Sequence, residues 1–485
     1  MMSRTWGAIC AAAVFALVGL GPVATTSGGQ AQRGDPELAA ARRAVVDGRV
    51  EEALELLGGL ATERPESGEV ALWMGHALRR SGDPRGAAQQ YLRAVRLDPT
   101  NAGALIALGD LQSDAGDLDS ALDYYKRAIT VAPDFPVGYR KAAGVEVQLV
   151  LHRNAIEHLR QYLELRPGDV VAMSVLGMEQ YLDEDIDGAI ATMERVVALE
   201  PDHVRGHFGL GMALADRPEE YTRALMHLEA TTAADPGNAM ALYLIGRIRA
   251  SRGELEPARE ALRSSLEIDS EQPDAHYRIA LVYARLGERD AARVHQERFQ
   301  ELSQARDNEE ELQRRIGLLR GAVDVAIAAQ DLAGVRAVTE ELAQLAPDDL
   351  NVLIVQARMA LGGDEPDTGL QAASRALELY PDDWEALYLR GVLLHRTGQP
   401  ADAVGFLERA VELNPMYGPG YAALGNALMA IGQPAEALNA YQSAVTVQPT
   451  TPAHYLNLAS VYRALGQSDL ESRALATHRR LLAEQ

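Results

Sequence analysis

The chain has 485 residues, a formal net charge of −23 and a sequence pI near 4.9. An acidic balance of this size argues against a nucleic-acid-binding surface, because counterion release needs clustered Lys and Arg, and it favours solubility. Alanine, leucine, arginine and glutamate dominate, and no sustained alternation of Val, Ile, Thr and aromatic residues is present. The composition therefore predicts an all-α protein.

The N-terminal segment, residues 1–31, differs from everything that follows it. Arg4 precedes an apolar run from Trp6 to Leu20, and Gly21-Pro22 and small polar residues come next. The run is too short for a confident membrane span, so the pattern predicts a secretory signal peptide, with an uncleaved N-terminal anchor as the alternative. We expect an exported protein, periplasmic or extracellular, whose mature chain has no transmembrane span. The single cysteine, Cys10, lies in the apolar run, so the mature chain would have no disulfide, thiolate nucleophile or Cys-ligated zinc.

The stretch from Asn101 to Pro133 contains the unit that the rest of the chain repeats. Apolar and small residues at helical spacing, beginning with Leu105, end at Gly116, and a second helical run follows with Tyr125 at its centre. This pattern predicts a helix, a tight turn and a second helix. Neither helix buries its apolar face alone, so each unit needs neighbours of the same kind.

Three kinds of residue recur at intervals of 34 or 35 residues, with some repeats skipped and with one break in the register between Pro236 and Pro347. Prolines that would stop the second helix are Pro65, Pro99, Pro133, Pro167, Pro201, Pro236, Pro347, Pro381, Pro415 and Pro449. Glycines that would end the first helix in a left-handed cap are Gly48, Gly82, Gly116, Gly253, Gly287, Gly398, Gly432 and Gly466. Small residues that would let the paired helices approach closely include Gly75, Gly109, Gly177, Gly211, Gly246, Gly391 and Gly425.

In this order of small, aromatic and proline positions, the sequence resembles the tetratricopeptide repeat family, whose unit is a helix–turn–helix of about 34 residues. The resemblance covers nearly all of Pro36 to Gln485 and implies a right-handed superhelical solenoid of about thirteen repeats. It implies little about function, because the family serves many unrelated processes.

The repeat register slips between Pro236 and Pro347. Between Gly287 and Gly317 the chain has neither Gly nor Pro while charged residues are dense, which predicts a long helix that reaches into a solvated joint. We place a boundary near Arg306. The prediction is a first array, residues 35–305, of about eight repeats, and a second array, residues 306–485, of about five repeats with a charged capping helix.

The segment from Asp183 to Glu194 matches an EF-hand loop, with Asp183, Asp185 and Asp187 followed by Gly188 and with Glu194 at the twelfth position. The repeat register continues through it, however, and Glu194 would lie roughly 10 Å along the second helix. The favoured interpretation is that these acids stabilise a helix N-terminus, so no metal is predicted. A calcium-responsive module remains the minority alternative.

The resemblance also implies a binding surface, because in this family the first helix of each repeat lines the inner, concave wall. Carried onto this sequence, those positions give an apolar and aromatic group with arginines between: Met178, Tyr181, Arg205, Phe208, Met212, Met240, Tyr243, Arg247, Tyr277 and Arg285. Such a group suits a groove for an extended peptide or a partner helix, with Arg meeting its carboxylates. The alternative is that some of these side chains pack against the neighbouring helix as core.

No catalytic motif is recognisable, and the repeats leave little room for a catalytic domain. The sequence therefore predicts a non-enzymatic interaction scaffold without a cofactor, and its resemblance to exported repeat proteins implies a protein partner in envelope or secretion machinery. A second hypothesis is an accessory subunit that positions substrate for a separate catalytic protein.

Overall fold

The structure, a computed structural model, describes residues 35–363 and 365–484. The predicted signal peptide, residues 1–31, lies outside this part. The described residues form 25 α-helices and one short 3-10 segment, Pro218–Glu220, and they contain no strand, which confirms the all-α prediction.

The helices run in the order α1 Pro36–Val46, α2 Val50–Glu63, α3 Gly68–Arg80, α4 Pro84–Leu97, α5 Ala102–Asp114, α6 Leu118–Val131, α7 Pro136–Gln148, α8 His152–Leu165, α9 Val170–Leu182, α10 Ile186–Leu199, α11 Val204–Leu214, α12 Tyr221–Ala234, α13 Ala239–Ser251, α14 Leu255–Ile268, α15 Pro273–Leu286, α16 Arg289–Ala328, α17 Leu332–Leu345, α18 Leu350–Gly362, α19 Pro366–Leu379, α20 Trp384–Arg396, α21 Pro400–Leu413, α22 Gly418–Ala430, α23 Pro434–Val447, α24 Pro452–Ala464 and α25 Ser468–Ala483.

Within each of the two compact units described below, most helices pack against the next helix along the chain, most closely as the two helices of one repeat. The exception is α16, which runs without a break for 40 residues and is largely exposed. It serves as the second helix of one repeat and the first helix of the following one. Counted in both repeats, the 25 helices make thirteen pairs, which agrees with the predicted number of repeats.

The chain divides into two compact units. One consists of residues 139–315, and in the described part of the chain the other consists of residues 35–138 together with 316–485. The division into arrays 35–305 and 306–485 rests on the sequence register alone and stays a prediction.

The turn inside each repeat depends on a left-handed residue after the first helix. All eight glycines predicted for this position have positive φ, between 71° and 86°. Three repeats place a residue with a side chain there instead: Val150, Glu184 and Gln330, with φ of 57°, 65° and 55°. The left-handed conformation is thus a property of the repeat, and glycine is its least strained occupant.

Close packing of the two helices explains the small-residue positions. A Cβ on Gly109 would lie 2.5 Å from Cε1 of Tyr125 in the second helix of the same repeat, and a Cβ on Gly75 would lie 2.4 Å from Cε1 of Tyr91. The Tyr125 hydroxyl donates to Asp110 Oδ1 at 2.7 Å, so the buried ring also has its polar end satisfied. The aromatic ring therefore fills the space that the missing side chain leaves.

Candidate partner-binding groove

The ten residues predicted to line a groove all lie in the unit of residues 139–315, on helices α9, α11, α13 and α15. Helix N-caps fix where these first helices begin: Asp169 Oδ1 accepts from Ala172 N at 3.0 Å, and Asn238 Oδ1 accepts from Ala241 N at 3.0 Å. Each cap fixes the residue at which its helix begins, so these first helices start at equivalent positions of their repeats.

Three of the ten side chains lie in the core. Met178, Phe208 and Met212 are buried in one hydrophobic cluster. The half-buried side chains of Tyr181, Met240, Tyr243 and Leu182 pack against that cluster. The apolar and aromatic residues among the ten thus form a stripe along the first helices. Its buried members pack as core and its half-buried members cover them, which is the alternative arrangement described for part of this set.

The stripe reaches solvent at α15. Tyr277 is 43% exposed, and its ring lies 5.2 Å from that of Phe299 between centroids. The guanidinium carbon of Arg278 lies 5.9 Å from the centre of the Tyr277 ring. Leu281, one helical turn further on, is also exposed. This end of the stripe therefore offers apolar surface next to a positive charge, a combination suited to binding another chain.

Two of the predicted arginines are engaged inside the array, whereas Arg205 is exposed. Arg247 Nη2 donates to the Ala215 carbonyl at 2.9 Å and pairs with Asp216 at 2.8 Å. Arg285 Nη1 donates to the Ala250 carbonyl at 2.9 Å. Both guanidinium groups therefore cap the C-terminus of the preceding first helix, where carbonyls lack helical partners and the dipole favours a cation.

The other unit uses the same arrangement. Arg80 Nη1 donates to the Val46 carbonyl at 3.3 Å, and Arg396 Nη2 donates to the Gly363 carbonyl at 2.9 Å. In each case the acceptor lies about one repeat earlier in the chain, so the spacing of these arginines was a sequence signal for a repeat-to-repeat tie.

Two tyrosines of the stripe, Tyr181 and Tyr243, have pKa values above the ordinary value. Burial raises the pKa of Tyr243, with a smaller contribution from Asp274 in the same direction. Burial and the nearby Asp216 also raise the pKa of Tyr181. At neutral pH these phenols are hydrogen-bonding groups on a mostly apolar surface and not charges.

The EF-hand-like acids are held by different partners. Asp183 pairs with Arg153 at 3.1 Å, and Asp187 pairs with Arg217 at 2.6 Å. Asp185 caps α10 through Gly188 N at 3.0 Å, as the helix N-terminus interpretation predicts. Glu194 pairs with Arg223. Across residues 35–363 and 365–484, no group of three or more His, Cys, Asp or Glu side chains is arranged to hold a metal ion.

Sequence reasoning missed two buried acid–histidine pairs in the same unit. Glu146 Oε2 lies 2.6 Å from His158 Nδ1, and Glu179 Oε2 lies 2.7 Å from His152 Nδ1. Burial raises the pKa of Glu179, and the hydrogen bond from His152 opposes that shift. Each pair joins neighbouring helices, and no periodic signal in the sequence marks it.

Comparison with known families agrees with this architecture. Models described as tetratricopeptide repeat or TPR repeat match residues 38–102, 78–142, 175–225, 246–287, 273–306, 354–416 and 425–466. The chain belongs to the tetratricopeptide repeat (TPR) family. The resemblance inferred from the sequence is thereby confirmed, and a TPR array is a protein-interaction fold.

Similar proteins match part of this chain and a smaller part of their own length. The chain is 24% identical over 282 residues to the human protein O-mannosyl-transferase TMTC3, a match covering 57% of this chain and 30% of the relative. It is 27% identical over 292 residues to cellulose synthase operon protein C of Pseudomonas fluorescens, covering 58% of this chain and 21% of the relative. The chain thus spans less than a third of the length of these relatives.

Among solved structures, the chain is similar to YrrB, a TPR protein with an unusual peptide-binding site. The identity is 25%, the TM-score is 0.36, and the match covers 39% of this chain and 96% of that one. Within the described part of this TPR chain, no helix has both the length and the apolar character that crossing a bilayer requires.

Proposed function

We propose that this TPR protein is an exported, non-enzymatic scaffold that binds a segment of a partner protein along the first helices of residues 170–286. The observation that carries the proposal is the apolar stripe that begins at half-buried Tyr181, continues through Tyr243 and becomes exposed at Tyr277. A surface of this kind binds well because burial of its rings gains free energy while its rigid helical support loses little entropy.

The chemistry around the stripe defines the kind of partner. Arg205 is exposed, and Arg278 lies beside Tyr277, so basic side chains flank the apolar side chains. The partner segment therefore carries apolar or aromatic residues together with carboxylates. Phe208, Met212 and Met178 support this surface from below, while Arg247 and Arg285 hold the repeats that carry it.

Export is supported by the signal-like residues 1–31, and the partner then belongs to the cell envelope or to secretion machinery. Cell fractionation with mass spectrometry of the mature N-terminus tests this part. Recovery of the full-length chain in the cytosol would contradict export but would leave the proposal of a binding groove standing.

The second candidate function is an accessory subunit that positions substrate for a separate catalytic protein. It is favoured by the relative named as a cellulose synthase operon protein, although this chain spans 21% of that relative. Co-purification of an enzymatic activity with the tagged chain, lost on groove substitution, would favour this function over a scaffold without an enzyme partner.

The groove is tested with matched tyrosines. A photo-reactive residue at Tyr277 is compared with one at Tyr380, since the two side chains are 43% and 42% exposed and only the first lies on the stripe. We expect crosslinking of one partner from position 277 alone.

The affinity of that purified partner is then measured for Tyr277→Ala and Tyr380→Ala. Loss of at least about tenfold for the first and no change for the second is the expected result, because an aromatic anchor contributes more than 1.4 kcal/mol. Equal affinity of both variants would exclude Tyr277 as an anchor.

A further inference from the structure

The outer face of α4 is in contact with helices far along the chain, inside the unit of residues 35–138 and 316–485. Gln89 Nε2 donates to Ser443 Oγ on α23 at 2.9 Å. Arg96 Nη1 donates to the Thr446 carbonyl at 3.3 Å. These contacts join segments that are about 350 residues apart, so they do not belong to the packing of adjacent repeats.

Two side chains extend the contact toward α21 and α22. The guanidinium carbon of Arg85 lies 5.6 Å from the centre of the Tyr421 ring, which is fully buried. Met416, in the turn between α21 and α22, packs against the hydrophobic cluster formed by α3, α4 and α5. The first residues of α4 thus sit over the α21–α22 turn, and its last residues lie beside α23.

This face of α4 differs from its counterpart in the next repeat. The position of Gln89 is occupied 34 residues later by Asp123, whose side chain is 70% exposed, and the position of Arg85 is occupied by Asp119. An aspartate in place of Arg85 would put a negative charge next to the buried Tyr421 ring. An aspartate in place of Gln89 would be unable to donate the hydrogen bond that Ser443 Oγ accepts. The chemistry of α4 therefore suits a contact that the corresponding helix does not make.

Apart from Met416, the contact is polar and loosely packed. A cavity of about 630 Å³ lies within it, lined in part by Asp83, Arg85, Gln89, Arg409 and Glu412. A contact made of a few hydrogen bonds around a solvent-accessible cavity resembles interfaces that open and close. It differs from the dense packing between adjacent repeats.

We propose that α4 and the surface formed by α21, α22 and α23 are a reversible intramolecular latch. When closed, it covers the part of α4 that carries Arg85 and Gln89. When open, it exposes that part and the rim around Tyr421 to solvent. The segment of residues 139–315 links the two sides covalently, so closure benefits from a high effective concentration even though the contact itself is weak.

The test measures closure and opening in the full chain, in a Cys10→Ser background. Spin labels at Ser81 and Gln442, which are exposed and outside the contact, report the distance between its two sides. In a second experiment Ser443→Cys, at a buried position, reports opening by its rate of thiol modification. Gln89→Lys is expected to open the latch, and Asp123→Lys is the matched control.

The latch predicts one short spin–spin distance in the parent chain and slow but measurable modification of the thiol under conditions where the circular dichroism is native. Gln89→Lys should increase the modification rate about tenfold by placing a longer, positively charged side chain in the contact beside Arg85, and Asp123→Lys should not. A pair of labels at Glu408 and Gln442, within the C-terminal side, checks that the helices stay folded. A long distance in the parent chain overturns closure, and equal rates in both lysine variants, or a rate equal to that of global unfolding, overturn reversibility.

Discussion

Replacement of Val150 by glycine should stabilise the repeat formed by α7 and α8. Val150 follows α7 with a φ of 57° and is 67% exposed. Its backbone makes the same hydrogen bonds as Gly116 in the preceding repeat. Val150 N donates to the Val147 carbonyl at 3.2 Å, and Gly116 N donates to the Ser113 carbonyl at 3.1 Å. The turn at Val150 therefore has the same hydrogen bonding as the glycine turn, and the strain of its left-handed conformation comes from the valine side chain alone.

The magnitude follows from two opposing terms. A residue with a Cβ in the left-handed region costs about 1–2 kcal/mol, toward the upper end when it is β-branched. Removing this strain stabilises the folded repeat, but the greater backbone freedom of glycine in the unfolded chain reduces the stabilisation by about 0.4–1 kcal/mol. Little apolar burial is lost at an exposed side chain, so Val150→Gly should stabilise the repeat by about 1 kcal/mol.

The assay is local hydrogen exchange, because a repeat array opens in parts and a single global unfolding free energy does not describe it. Amides of residues 136–165 should exchange roughly fivefold more slowly in the variant. The control is Val294→Gly, where a valine that is 58% exposed lies inside the right-handed helix α16. That variant should be destabilised by about 0.5 kcal/mol. Faster exchange in Val150→Gly, or the same sign of effect in both variants, would refute the role assigned to φ.

Three further outcomes are expected. Gly109→Ala should destabilise by about 1–3 kcal/mol in denaturant titration, since its Cβ would lie 2.5 Å from Tyr125 Cε1, and a neutral result would mean that the ring moves freely. Burial lowers the pKa of both His76 and His227 to about 4, so the unfolded chain binds more protons below pH 6.5. Stability should therefore fall by up to about 3 kcal/mol per histidine as pH decreases from about 6.5 to 4, and His→Gln variants should flatten that profile. Arg396→Ala should cost about 1 kcal/mol by removing the hydrogen bond to the Gly363 carbonyl, with faster amide exchange at the end of α18 as the readout.

The repeat signal in the sequence is local, and for that reason it predicted most of the fold. A left-handed turn selects glycine, and a close helix pair selects glycine opposite a large side chain, so the eight cap glycines and the Gly109–Tyr125 contact follow from residue type and spacing. The long helix was predicted in the same way, because the absence of Gly and Pro over Gly287–Gly317 leaves nothing to end it, and α16 covers this region.

Exposure of the stripe could not be predicted from periodicity. Phe208 and Tyr277 occupy equivalent positions of their first helices, yet Phe208 is 5% exposed and Tyr277 is 43% exposed. Phe208 packs in a cluster with Tyr243 of the next repeat, whereas Tyr277 is followed by the uninterrupted helix α16. The arginines were ambiguous for a similar reason, since Arg285 suits a carboxylate of a partner as well as the Ala250 carbonyl that it binds.

By itself, the sequence determined the all-α repeat architecture, the positions of its turns and the close pairing of helices within a repeat, because these depend on side-chain size and backbone freedom at fixed spacing. Only the tertiary structure decided which apolar residues of the stripe reach solvent and that Gln89 lies against Ser443. Those features depend on contacts between surfaces that are far apart in the chain, and a 34-residue period contains no information about such long-range contacts.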